Sequence, residues 1–178
     1  MCKRVAKFEK VSLEQFIEDC KKCLPQLARP EMSEISDMAL KSIWERIKLP
    51  KRATKGSAGY DFFLPFTVSF SEGEAMKFPT GIRCNINEGW MLQCFPRSGL
   101  GFKHKLTLDN TVGIIDQDYY FSDNEGHIHC KMTKNTPGVL ILDEGKAFMQ
   151  GILLPYGIAV DDDADGVRNG GFGSTDSK

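Results

Sequence analysis

Val11, Leu13, Phe16, Ile17, Cys20 and Leu24 recur at three- and four-residue spacing, which lines one face of a helix. Ser12 followed by Gln15 suits a capping box at its start, and Pro25 and Pro30 end it. A second apolar series, Ile35, Met38, Ala39, Ile43 and Ile47, predicts another helix, although 42–48 are also compatible with an edge strand. From residue 49 the period changes. Gly, Pro and Asn punctuate short runs rich in branched and aromatic residues at 60–64, 67–70, 90–95, 106–108 and 139–142, the pattern of an all-β sandwich or barrel. After residue 160 the pattern stops: Asp161, Asp162, Asp163 and Asp165 lead into VRNGGFGSTDSK. This Gly-rich stretch reads as a flexible arm that can gain order only by docking. The expected organisation is a helical extension (1–48), a β core (49–160) and a C-terminal arm (161–178), with no internal repeat.

At 178 residues the chain is expected to hold one domain. Its formal net charge of −1 excludes general coating of nucleic acid by a basic surface. Residues 1–60 carry 13 basic and 8 acidic side chains, whereas 61–178 carry 10 and 16, so an anionic ligand of the main body must be held by a few placed donors. No apolar stretch is long enough to span a membrane, and the first residues have no secretory apolar core. Six cysteines without a signal segment read as reduced cytoplasmic thiols.

Four segments carry candidate chemistry. In the arm, Gly166, Gly170, Gly171 and Gly173 permit close backbone approach to an anion, with Arg168, Ser174 and Thr175 as donors and Phe172 as a flat apolar face. The arm suits a lid over a base and a polyphosphate; a polar tail is the alternative. In FPRSGLGFKH (95–104), Arg97, Ser98, Gly99 and Gly101 group donors in one tight bend, suited to an oxyanion nest or an ordinary turn. In DNTVGIIDQDYY (109–120), Val112, Gly113, Ile114 and Ile115 read as a buried strand or hairpin between Asn110 and Asp116. Asn110 offers the donor and acceptor that a pyrimidine edge requires. Asp116 beside two isoleucines is expected to be partly desolvated, a setting for a general base, though these acids suit turn flanks equally. Asp61, before an apolar strand, is either a turn acceptor or an anchor for hydrated Mg²⁺.

Taken together and in order, KGSAGYD (55–61), PRSGLGFKH (96–104), NTVGIIDQDY (110–119), GKAFMQGILLPY (145–156) and RNGGFGST (168–175) resemble the trimeric dUTP pyrophosphatase (dUTPase) family. The resemblance runs from about residue 49 to the C-terminus, leaving the first 45 or so residues outside it. It implies an all-β, distorted jelly-roll (β-clip) fold in a homotrimer whose shared active sites draw segments from all three chains. It implies Mg²⁺-dependent cleavage of dUTP to dUMP and pyrophosphate, which keeps uracil out of DNA and supplies dUMP for dTMP synthesis. On this sequence, Asp116 would activate the attacking water. Asn110, Gly113, Ile114 and Ile115 would read uracil, and Tyr119 would lie against the deoxyribose. Arg97, Ser98, Gly99 and Gln150 would contact phosphates, and Asp61 would hold a metal-bound water. Phe172 would stack on uracil while Arg168, Gly173, Ser174 and Thr175 close over the γ-phosphate.

The chain departs from the family pattern in four places. Residues 120–125 intervene before Gly126 and read as an insertion that brings His127 and His129 near the uracil pocket, with His129 a further candidate base contact. Ala147 replaces a usual Arg, Arg168 sits one residue closer to the double Gly, and Asp176 replaces a closing Gly. The competing readings are a dCTP deaminase-like enzyme and a family member with an added partner-binding regulatory role for residues 1–45. A zinc site from Cys20 and Cys23 with His127, His129 and Cys130 is weighed against two cysteines on an amphipathic helix.

Overall fold

The computed structural model describes residues 3–23 and 35–170. The chain opens with a strand, β1 (Ala6–Lys10), where a purely helical extension is expected. Two helices follow, α1 (Leu13–Cys23) and α2 (Asp37–Arg46). Ser12 caps α1 by accepting the Gln15 N–H at 3.1 Å. The other half of the expected capping box is replaced: Glu125 accepts the Ser12 N–H at 2.8 Å, while the Gln15 amide turns to Asp19 at 3.0 Å. Residues 42–46 are helix, not edge strand. Of the expected apolar series Ile35, Ile43 and Ile47 do meet the core, but Met38 and Ala39 point outward and Leu40 is the residue fully buried, because the face that meets the core runs through Leu40, Ile43, Trp44 and Ile47. Leu24, Pro25 and Pro30 lie outside the described residues.

The body is all-β, as expected. Its strands are β2 (Lys51–Arg52), β3 (Tyr60–Phe63), β4 (Val68–Phe70), β5 (Ala75–Pro79), β6 (Ile82–Ile86), β7 (Trp90–Pro96), β8 (Leu106–Leu108), β9 (Gly113–Ile115), β10 (His129–Lys134), β11 (Leu140–Leu142) and β12 (Ala147–Pro155). A short helix, α3 (Ser98–His104), replaces the tight bend expected after β7. The antiparallel sheets run β2-β3-β12-β7-β9, β5-β10-β8, β4-β11 and β1-β6. Long β12 is central: it pairs with β7 from Met149↔Pro96 to Pro155↔Trp90 and with β3 on its other side.

The core is one cluster in which Phe62, Phe70, Phe78, Leu92, Met132 and Phe148 are essentially inaccessible. Val11, Phe16, Cys20, Leu40 and Ile47 belong to the same cluster, so burial of these side chains welds the helices to the sheets. Gly81, at φ +74°, lies where an added Cβ would sit 2.3 Å from Ile47 Cδ1, so the helix-to-sheet seam requires glycine there. No helix among the described residues is long and apolar enough to cross a membrane.

Candidate active site

A cavity of about 370 Å³ opens beside β9, within the range of small-ligand sites. Its walls include Asn110, Gly113, Ile114, Ile115, Tyr119, His129 and Arg168, all singled out in the sequence, together with Cys94, Leu108, Ile128 and Met149 from the strands behind. The local sequence explains the shape. Thr111 takes a left-handed φ of 65°, which folds the chain sharply between Asn110 and β9. Gly113 then lies against β7: an added Cβ would be 3.3 Å from Cys94 Cβ and 3.8 Å from Asn110 Nδ2. A bare backbone at this point keeps room for a flat ring beside the Asn110 amide. Burial pushes the Cys94 thiol up to about 12, so it is a protonated apolar wall at neutral pH.

Asp116 follows β9 directly and is less desolvated than expected, its side chain being 45% exposed. Its partner is Arg168, whose Nη2 donates to Asp116 Oδ2 at 2.5 Å while Nε lies 2.9 Å from Asp118 Oδ1. The guanidinium also sits 5.8 Å from the Tyr119 ring centroid. The Asp123 N–H donates to the Asn169 carbonyl at 3.2 Å, so the insertion itself grips the start of the arm. Arg168 therefore contacts the carboxylates of its own chain, where the resemblance led us to expect phosphate contact after an ordering step. Phe172, Gly173, Ser174 and Thr175 lie outside the described residues.

A second set gathers elsewhere. Arg97 Nε lies 3.4 Å from Asp61 Oδ1, with the carboxylate largely shielded. Gln150 is the β12 partner of Asp61 and packs over Gly59, where an added Cβ would be 2.7 Å from the Gln150 Oε1. Arg97 N–H donates to the Phe148 carbonyl at 3.2 Å, at the register shift between Ala147 and Met149. Ser98 and Gly99 begin α3. None of Asp61, Arg97, Ser98, Gly99 or Gln150 lines the cavity. The carboxylate of Asp61 is a hard oxygen donor of the kind Mg²⁺ prefers, and its neighbour Arg97 adds an anion donor beside it.

Behind the cavity lies a group that the sequence reading missed. Asp19 of α1 is buried; its Oδ2 is 2.5 Å from His127 Nδ1 and 3.2 Å from His129 Nε2, and it accepts from Gln15 Nε2 at 3.0 Å. Burial pushes the Asp19 carboxyl up, but the hydrogen bonds from His127, His129 and Gln15 outweigh it and hold the group well below the carboxylate range. Burial pushes His127 down, only partly offset by Asp19. Gly81 N–H donates to His127 Nε2 at 2.8 Å, so His127 is a neutral ring with its hydrogen on Nδ1. The signal available in the sequence was an acid at 19 flanked by Phe16, Cys20 and Cys23 on the apolar face of α1. Asp19, His127 and His129 place one potential ligand atom each within 4.8 Å of one another, and neither Cys20 nor Cys23 is part of this group. Burial instead raises both thiols. The zinc arrangement weighed against an amphipathic helix, Cys20 and Cys23 with His127, His129 and Cys130, does not assemble among the described residues.

The dUTPase family model matches residues 45–176. The chain is 41% identical over 132 residues to the deoxyuridine 5'-triphosphate nucleotidohydrolase of Lactococcus lactis, covering 72% of this chain and 88% of that protein. It is 34% identical over 146 residues to the enzyme of the same name from Hahella chejuensis, covering 78% and 93%. Among solved structures, the dUTPase of Streptococcus mutans superposes with a TM-score of 0.58 at 39% identity, covering 64% of this chain and 89% of that one.

Proposed function

The chain belongs to the dUTPase family, and from that membership and the geometry above we infer that it hydrolyses dUTP to dUMP and pyrophosphate as a dUTP diphosphatase. The observation that carries this reading is the cavity formed by Asn110, Gly113, Ile114, Ile115 and Tyr119, with Asp116 tethered at its edge through Arg168. Its size and its backbone-lined wall suit a pyrimidine nucleoside. Asn110 and the backbone of 113–115 read the base edge, and Tyr119 packs against the sugar where a 2′-hydroxyl would be crowded. A site built to pair with one base edge rejects an analogue that leaves a buried polar group unpaired.

Asp116 orients a water and accepts its proton as the oxygen attacks the α-phosphorus. The bond from that phosphorus to the oxygen bridging to the β-phosphate breaks, releasing pyrophosphate with the bridging oxygen. General-base catalysis of this kind contributes roughly 10²–10⁴-fold. Arg97, Ser98, Gly99 and Gln150 hold the phosphates. Mg²⁺, when bound, neutralises triphosphate charge, and Asp61 would hold it through a water. Phe172 covers the base, while Gly173, Ser174 and Thr175, with Arg168 once released from Asp116, close over the γ-phosphate.

The nucleoside cavity and the Asp61–Arg97–Gln150 set do not form one site within a single chain, and this supports a homotrimer in which each site combines segments of different copies. Three working parts complete the proposal: the extension 1–48, the core 49–160 and the arm 161–178. The described cysteines Cys20, Cys23, Cys84, Cys94 and Cys130 are all free and buried, which supports a cytoplasmic site of action. The dCTP deaminase alternative finds no support among the relatives named above. The test is pyrophosphate release from dUTP, UTP, dCTP and dTTP, each with and without Mg²⁺, alongside sedimentation of the purified chain. Mg²⁺-dependent release from dUTP alone by a trimer is expected. Ammonia release from dCTP without pyrophosphate from dUTP would overturn the reading.

A further inference from the structure

Asp19 lies where α1 meets the back of the cavity, in a helix outside the span that matches the family model. An ionised carboxylate can only accept hydrogen bonds. Each imidazole nitrogen facing Asp19 must therefore carry its hydrogen. For His127 the arrangement is closed, because Nδ1–H donates to Asp19 at 2.5 Å and Nε2 accepts from Gly81 at 2.8 Å. For His129, at 3.2 Å, the same carboxylate places the hydrogen on Nε2. The His129 ring is part of the cavity wall and meets the His127 ring edge to face at 4.8 Å between centroids. The restraint also passes forward. The His127 carbonyl accepts the Tyr119 hydroxyl at 2.8 Å, and that hydroxyl takes a further hydrogen bond from Asn124 Nδ2 at 2.8 Å. One buried carboxylate on the N-terminal helix thus governs two side chains of the cavity, an imidazole and a phenol.

We propose that Asp19 is a positioning residue for the nucleoside pocket: it fixes the tautomer and orientation of His129 and the stance of Tyr119. It thereby sets how tightly a deoxypyrimidine nucleotide is held and how well it is told from its ribonucleotide. The proposal rests on reading the cavity as a nucleoside pocket. Asp19 acts on binding and selectivity, not on the hydrolytic step, because its contacts are to Gln15, His127 and His129 while Asp116 is held separately by Arg168. Metal-site partners that fix a ligand histidine typically matter by about 10–100-fold, and an effect of that order is expected here.

The test compares the full-length wild type with Asp19→Asn and Asp19→Glu. Three quantities are read: dUMP affinity by calorimetry, kcat and KM for dUTP and UTP, and imidazole tautomers from ¹⁵N-coupled NMR spectra. In Asp19→Asn the dUMP Kd and the dUTP KM should rise about tenfold or more with kcat within about threefold, discrimination against UTP should narrow, and the His129 Nε2–H signature should be lost. Asp19→Glu, which keeps the carboxylate, should recover part of each. If Asp19→Asn remains folded and binds dUMP as tightly as wild type with unchanged selectivity, the proposal fails. It fails equally if stoichiometric zinc is found in the purified wild type, since the three side chains would then be a metal site. Wild type that binds no deoxyuridine nucleotide would instead overturn the functional reading beneath it.

Discussion

Arg168 donates to Asp116 at 2.5 Å across 52 positions of the chain, joining the arm to the carboxylate assigned the role of base. Both side chains retain some solvent exposure, 24% and 45%. Ion pairs at exposed sites are worth only about 0–1 kcal/mol, so a polyphosphate can draw the guanidinium away at little cost. In the proposed reaction the pair keeps Arg168 near the phosphates and frees Asp116 for water once nucleotide arrives.

Replacing Asp116 by Asn should lower kcat for dUTP by at least about 10²-fold, the contribution of one general base. Affinity for a non-hydrolysable dUTP analogue should stay within a few-fold. Single-turnover pyrophosphate release with parallel calorimetry separates these two quantities.

Truncation after Val160 should leave the melting temperature nearly unchanged. Among the described residues the core all precedes this point, and the arm's contacts are the Arg168 ion pairs, its guanidinium beside the Tyr119 ring, the Asp123–Asn169 hydrogen bond and a local Asp162–Ala159 turn bond. Turnover of dUTP should nonetheless collapse. Normal activity in the truncated chain would contradict a closing role for the arm.

Gly126→Ala should be among the more damaging single changes outside the core. Its φ is +68°, and an added Cβ would lie 2.7 Å from the Tyr119 carbonyl oxygen and 2.7 Å from Tyr120 Cα. The left-handed backbone alone costs a side-chain-bearing residue about 1–3 kcal/mol, and the collision with main chain adds to it. Thermal melts should fall by several degrees, and the Ser122 hydrogen bonds to the Tyr119 carbonyl should loosen.

The protein should lose stability in two stages on acidification. His127 titrates below its ordinary 6.5 when folded, chiefly through burial, so below that pH the unfolded chain takes up a proton that the native one refuses. Asp19 is held ionised far below its usual range by His127, His129 and Gln15 despite burial, so its contribution is complete above about pH 4 and is lost as pH falls further. Denaturant midpoints measured from pH 8 to 3 should decline first below about 6.5 and again below about 4. In the Asp19→Asn protein the second decline should be smaller, reduced to the part that the other depressed carboxylates contribute. Glu125, which is held below its ordinary value mainly by Ser12 against the pull of burial, faces the same region and adds to that lower stage.

Much of this molecule could be read from the order of its residues. Branched and aromatic runs punctuated by Gly, Pro and Asn at 60–64, 67–70, 90–95, 106–108 and 139–142 marked the strands now seen at 60–63, 68–70, 90–96, 106–108 and 140–142, because turn residues interrupt a ladder whatever the strand packs against. The helix beginning at Leu13 and its Ser12 cap were equally local. Asn110, Gly113, Tyr119 and Asp116 also lie within one short segment, where the order of the family's motifs, rather than residue type alone, singled them out.

Other features depended on contacts distant in sequence. The strand Ala6–Lys10 exists because Ile82–Ile86 offers it a ladder, and nothing in AKFEK announces that partner. The phase of the second helix was set by which side the core fills, so Leu40 went in and Met38 out. The Asp19–His127 pair joins residues 108 apart. A buried charge is tolerated only when hydrogen-bond donors are brought to it, and those donors came from another part of the chain. Residue type and spacing determined the strands named above and the first helix, and the order of the motifs marked the residues of the cavity; chain folding decided which charges meet, because electrostatic partnership depends on distance in space and not along the sequence.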